Sequence, residues 1–170
     1  GNCDHRLGAV DRGPLRLQPG VYCGGANFNG ALNITFEPGL YVIRGGDWNV
    51  NGGVWSGEGV TFYFEDSSRI QFNSGIRAEL SAPASGQYRN LLFFEKPGLA
   101  RSAFIFNDSG GNRLDGIMYL PSRDMIYNSG SDTTGDRLAM VFNSLIINQA
   151  TWTLGPVETA GGYRRLRLVR

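Results

Sequence analysis

Six units spaced along the chain have two apolar residues, flanking any third residue, immediately before an asparagine. The units are Ala26-x-Phe28-Asn29, Trp48-x-Val50-Asn51, Ile70-x-Phe72-Asn73, Phe104-x-Phe106-Asn107, Met125-x-Tyr127-Asn128 and Leu145-x-Ile147-Asn148. Their asparagines are 22, 22, 34, 21 and 20 residues apart. Apolar-x-apolar is the period of a strand with one buried face. A repeat of about 20 residues is too short to bury that face alone, so each unit must stack on the next, as in a solenoid. Leucine-rich repeats share the period, but the Leu-x-x-Leu-x-Leu frame does not occur.

A second marker keeps the same rhythm. Runs beginning Gly20-Val21-Tyr22, Gly39-Leu40-Tyr41, Gly59-Val60-Thr61, Asn90-Leu91-Leu92, Gly116-Ile117-Met118 and Arg137-Leu138-Ala139 are rich in aromatic and β-branched residues, as strands are. A third, less regular set alternates over 32–36, 76–80 and 152–154. The expected fold is all-β: a right-handed parallel β-helix of about six coils, the hand following from the crossover preference of parallel strands. It forms one domain over residues 1–170, with an N-terminal cap or cover (1–16), coils (17–154) and a C-terminal cap or edge segment (155–170). The long interval contains Pro83 and Gly86, which predict a loop over 81–89, inserted into one coil, projecting from it and mobile.

Stacking at about 4.8 Å would set Asn29, Asn51, Asn73, Asn107, Asn128 and Asn148 in one corner row. Asparagine tolerates a left-handed backbone there, and its amide can bond the next coil. The step from Asn73 to Asn107 is the one the insertion most endangers. Cys3 and Cys23 lie 20 residues apart, one period, which would bring their Cα atoms within the disulfide range of about 4.4–6.8 Å. A disulfide is the favoured reading; two buried thiols are the alternative. The Gly-led strands are apolar on both faces. Tyr41, Ile43, Leu92, Phe94, Met118 and Leu120 are assigned outward, beside an outer stripe of Ile105, Ile126 and Ile146. Such a surface calls for a cover: the stretch before Leu17, the segment from Thr159 to Arg170, another copy or a partner.

The net charge of +1 does not suit a nucleic-acid binder. Lys96 is the only lysine, and arginines cluster in the terminal Tyr163–Arg170. That cluster fits an edge strand guarded against pairing or a site for an anionic partner. No apolar run approaches the roughly 18 residues of a membrane span. The sequence opens at Gly1 without a visible leader, which leaves open whether a targeting segment has been removed. With His5 the single histidine, no metal site, cofactor or His-dependent triad is expected. β-Helices also host polysaccharide lyases and hydrolases, which need convergent carboxylates. Aligning Tyr63-Phe64-Glu65 with Phe93-Phe94-Glu95 would put Glu65 and Glu95 on neighbouring coils near Lys96 and Arg101. The bland reading is two solvated strand-end carboxylates. Asp108 and Asp115 form a weaker pair. The balance leans away from an enzyme.

Leu17-Gln18-Pro19-Gly20-Val21-Tyr22-Cys23-Gly24-Gly25, then Phe36-Glu37-Pro38-Gly39-Leu40-Tyr41-Val42-Ile43 and Gly57-Glu58-Gly59-Val60-Thr61-Phe62-Tyr63, resemble the C-terminal region of TadG-like proteins. These belong to the Flp pilus (tight adherence) assembly group. The likeness extends through Asn90–Phe94 and Gly116–Pro121 and covers most of 17–154. It implies an extracytoplasmic location in a bacterial envelope, in periplasm or at the cell surface, and a non-catalytic structural or interaction role in a pilus or adhesion apparatus. The expected partner is a pilus or envelope protein, or a second copy. The competing reading is a carbohydrate-active or glycan-binding β-helix.

Overall fold

The computed structural model describes residues 2–30, 32–107, 110–128 and 130–155. These residues contain no helix. In chain order the strands are β1 (Gly8–Val10), β2 (Leu15–Leu17), β3 (Gly20–Cys23), β4 (Ala26–Asn29), β5 (Asn33–Phe36), β6 (Gly39–Arg44), β7 (Trp48–Asn51), β8 (Gly53–Gly57) and β9 (Val60–Phe64). There follow β10 (Ile70–Phe72), β11 (Ile76–Ser81), β12 (Leu91–Glu95), β13 (Ser102–Asn107), β14 (Asn112–Asn128), β15 (Thr133–Gly135), β16 (Leu138–Ile147) and β17 (Trp152–Leu154). All pair in parallel with strands one coil away, making a β-solenoid of about seven turns.

Each full turn has three faces. The Gly-led face stacks β3, β6, β9, β12, the middle of β14 and the start of β16. The Asn-marked face stacks β1, β4, β7, β10, β13 and the later parts of β14 and β16. The third face stacks β2, β5, β8, β11, the start of β14, β15 and β17. β14 runs through all three, because the coil it forms has no insertion at its corners.

The solenoid has the expected parallel coils, with about seven turns where the repeat announces about six. Residues before Leu17 are not a cover over the sheet: they form a coil, in which β1 pairs with β4 and His5 bridges to Tyr22. Its marker reads Val10-Asp11, an aspartate where later coils carry asparagine, which hides it from the repeat.

The interior is filled by stacked rings. Tyr41, Phe62 and Phe93 lie in register, with centroids 5.3 Å apart at each step. Phe72, Phe106 and Tyr127 continue at 4.8 and 4.5 Å. Trp48 and Trp55 are fully buried between the faces. Parallel stacking places like residues one strand spacing apart, where aromatic pairs add to plain burial. Turns carry the glycines. At Gly53, φ is +96°, and a Cβ would lie 2.1 Å from the Leu32 carbonyl oxygen; no side chain fits there.

On the Gly-led face the sequence-based parity is inverted. Tyr41, Ile43, Met118 and Leu120 point inward and are buried, while Leu40, Val42, Ile117 and Tyr119 point outward. Leu92 is buried at a bulge, where the pairing to β14 slips between Leu91 and Phe93. Phe94 does face outward and is half-buried.

The 81–89 insertion packs back against the solenoid. Its chain turns back on itself, with Asn90 N donating to Pro83 O at 2.8 Å. Asn90 then accepts from Ile117 N at 2.6 Å and holds a φ of +63°. The Tyr88 ring lies 5.8 Å from Phe94, and Thr61 Oγ1 donates to the Leu91 carbonyl at 2.8 Å. The same coil makes a second, shorter excursion over 96–101, which the sequence did not announce.

Candidate functional site

Four features of the solenoid are candidates for function: the asparagine corner, the cysteine pair, the carboxylates, and the outer apolar face. The six predicted asparagines form one continuous row. Nδ2 of Asn51, Asn73, Asn107, Asn128 and Asn148 donates to Oδ1 of the preceding member at 3.0, 2.8, 3.3, 2.7 and 2.9 Å. Asn29 in turn donates to Asp11 Oδ1 at 2.7 Å. Every interior member therefore donates to the coil before it and accepts from the coil after it. The endangered step, Asn73 to Asn107, is kept. These amides are spent on one another, so the row is a seam of the fold.

Cys3 and Cys23 form a disulfide with Cα atoms 5.8 Å apart. It joins the residues preceding β1 to β3. Beside it His5 stacks on Tyr22 with centroids 4.4 Å apart. The Tyr22 hydroxyl donates to Gln18 O at 2.6 Å, and burial pushes its pKa up to about 12.

The carboxylate pair does not assemble. Glu95 aligns with Phe64, not with Glu65, so it points into the core while Glu65 follows the end of β9. Glu65 is held by Arg44 at 2.8 Å. Glu95 is almost completely out of solvent: its Oε2 accepts from Arg123 Nε at 2.7 Å and its Oε1 from Ser122 N at 2.6 Å. Arg123, itself fully buried, also donates to the carbonyls of Asp66, Ser67 and Ser68 at 2.8, 2.9 and 3.1 Å. The two carboxylates are thus held by different arginines, Glu95 buried and Glu65 partly exposed. Asp115 accepts from Asp136 N at 2.8 Å, and its proposed companion Asp108 lies outside the described residues.

Sequence reasoning missed Arg123. The clue was its parity: Arg123-x-Met125-x-Tyr127 places a charge at an inward position. Its reach is explained by the 96–101 excursion, which leaves the corner between Asp66–Ser68 and Ser122 for a long side chain to fill. Outside that corner lies a shallow groove of about 330 Å³ between Leu99, Arg101, Ser122 and Asn143. Asp124 nearby takes hydrogen bonds from Arg101, Ser144 and Asn143, which together hold its carboxyl well below the usual range.

The outer faces differ in chemistry. On the Gly-led face one register row reads Val21, Val42, Tyr63, Phe94, Tyr119, Val141. Beside the later coils Ile105, Ile126 and Ile146 line up on the outer side of the Asn-marked face. On the third face the outer row reads Arg16, Thr35, Ser56, Glu79, Arg113, Thr134, Thr153. It is laced by the Arg16–Glu37, Arg77–Glu79 and Arg113–Asp136 ion pairs. The solenoid thus has a wet side and an apolar side.

Comparison with protein-family models, curated proteins and solved structures finds no match to this chain.

The insertion covers the middle of the apolar face, with Tyr88 against Phe94 and Thr61 fully buried. The coils on either side of it carry the uncovered part, ending at Tyr119 and Val141. Among the described residues no cluster of side chains is fit to hold a metal ion, and no helix is long and apolar enough to cross a membrane.

Proposed function

We propose that this chain is a non-catalytic, extracytoplasmic structural and interaction module of a bacterial surface pilus or adhesion apparatus. The observation that carries the reading is the one-sidedness of the solenoid. An apolar row, Val21 to Val141, runs along one outer face opposite a polar, ion-paired one; the 81–89 insertion covers its middle, and Tyr119 and Val141 are exposed at its end. Monomeric proteins rarely leave a large contiguous apolar patch bare, and a rimmed one marks a docking surface. The disulfide suits an oxidising compartment. The likeness to TadG-like proteins supports the envelope setting.

In this reading the apolar row docks on a protein of the apparatus, while the asparagine seam and the disulfide keep the platform rigid. A photo-crosslinking residue at Tyr119, in the protein expressed in its source cell, tests it. Attachment to a pilus or envelope protein, lost on Val141→Glu and not seen from position 35 on the polar face, is the expected result. The aromatic members Tyr63, Phe94 and Tyr119 keep a second reading in play, because sugars also dock on exposed rings. Saturable binding to a glycan that Tyr119→Ala abolishes, with no protein adduct, would replace the first reading with the second.

A further inference from the structure

The disulfide lies in a charged row. Arg44 is in register with Cys23, at the end of the Gly-led face. Glu65 follows one coil on, since Ile43 pairs with Phe64. One coil back, the bridge from His5 to Tyr22, continued by one residue, brings Arg6 beside Cys23. Cys23 thus sits between two arginines.

Both guanidinium groups are aimed at sulfur. Arg44 Nε donates to Cys23 Sγ at 3.2 Å, and its Nη2 lies 3.9 Å from Cys3 Sγ. Glu65 Oε2, at 2.8 Å, and the Asn2 carbonyl, at 3.1 Å, fix the same group in place. The exposed Arg6 directs Nη2 at Cys3 Sγ, 3.6 Å away. The other charged or titratable neighbours are turned elsewhere. Asp4 accepts from Val21 N at 2.8 Å, and His5 stacks on Tyr22.

A disulfide sulfur is uncharged and a weak acceptor, so neither arginine is needed to hold it. A thiolate is what a guanidinium holds strongly. In thiol–disulfide exchange the bond opens faster when the departing sulfur is stabilised as an anion. The direction of opening follows from access. Cys23 is only 8% exposed, whereas Cys3 is half-buried. An incoming thiol therefore meets Cys3, and the sulfur left behind is the one against Arg44 Nε.

We propose that Cys3–Cys23 is an exchange site for a small thiol that carries carboxylates. The thiol loses its proton to solvent, and its thiolate attacks Cys3 Sγ. A bond forms between the incoming sulfur and Cys3, and the Cys3–Cys23 bond breaks. The electron pair of that bond leaves with Cys23, whose thiolate stays paired with Arg44. The incoming sulfur is oxidised and the Cys23 sulfur reduced, so the step needs no other oxidant. Arg6, exposed beside Cys3, favours an anionic thiol over a neutral or cationic one. This inference goes beyond the docking reading above and does not rest on it.

Glutathione is the test probe, with neutral 2-mercaptoethanol beside it. Mass mapping after an acid quench should find glutathione on Cys3 and a free thiol at Cys23. Arg44→Gln should slow the opening by at least about tenfold with either thiol. A merely structural role for Arg44 has the opposite sign, because a loosened coil exposes the bond and speeds attack. Arg6→Gln should slow glutathione by about threefold or more and leave 2-mercaptoethanol unchanged. Native circular dichroism reports that each variant is folded. Glutathione found on Cys23 overturns the proposal, as does an equal or faster rate in Arg44→Gln. An Arg6→Gln effect no larger for glutathione than for 2-mercaptoethanol overturns the preference for an anionic thiol.

Discussion

Arg123 Nε donates to Glu95 Oε2 at 2.7 Å, with both side chains out of solvent and the two residues 28 positions apart in the chain. The guanidinium spends its remaining bonds on three carbonyls of the 66–68 turn, so one side chain ties three successive coils. Removing one partner of a buried, hydrogen-bonded pair strands the other charge, whereas removing both does not. Arg123→Met should therefore cost about 3–5 kcal/mol. The Arg123→Met/Glu95→Met double variant should be more stable than that single variant. Urea unfolding measures both; a double variant no better than the single one would show that the carbonyl contacts, not the ion pair, carry the stability.

The asparagine seam makes a positional prediction. Asn107→Ala removes two side-chain amide bonds and Asn148→Ala removes one. At about 0.5–1.5 kcal/mol per bond, the interior substitution should cost about 1 kcal/mol more than the terminal one. Equal losses in paired denaturation curves would mean that the rungs are solvated individually and do not act as a row.

Alkaline pH should weaken the N-terminal coils. Burial raises Tyr22 to about 12 and lifts Tyr41 further, from an ordinary value of 10.0. Unfolded tyrosines ionise near pH 10. Stability is intact below that pH and falls as pH rises from about 10 toward 12, because only the unfolded chain releases these protons. Ultraviolet titration should find fewer than the seven tyrosines ionised at about pH 11 while the fold persists. Complete ionisation near pH 10 with native circular dichroism would refute it.

Reducing the Cys3–Cys23 bond frees the chain that precedes β1. A closed loop of this size contributes about 2–4 kcal/mol. In a stacked architecture that loss should be local. Exchange should quicken over residues 4–10 and stay unchanged in β13. Uniform quickening along the whole chain would show a single cooperative unit in place of stacked, separable coils.

Much of this architecture was readable where the residues set a phase. The inward pairs before each asparagine alternate with polar partners in the early coils, as Phe28 does with Asn27 and Asn29, so register followed directly. The Gly-led strands give no such phase. Leu40, Tyr41, Val42 and Ile43 are apolar without interruption, and period-2 reasoning has nothing to distinguish inside from outside. The first coil escaped because Asp11 does the work of an asparagine. Glu95 was misaligned by one residue because matching Phe93-Phe94 to Tyr63-Phe64 looked natural, whereas the pairing sets Phe93 on Phe62. The bulge at Leu92, beside the insertion, is what shifts that frame on the other side.

One coil absorbs 34 residues between Asn73 and Asn107, yet the amides of those two residues still meet at 3.3 Å. Contour length and axial rise are uncoupled there. Residues added at 81–90 or 96–101 extend the molecule sideways and leave its height untouched. Variation in this protein can then accumulate at the rim of a single storey, next to Phe94 and Tyr119, without re-threading any of the storeys above or below. The scaffold can be held constant while the relief around its apolar row is redrawn.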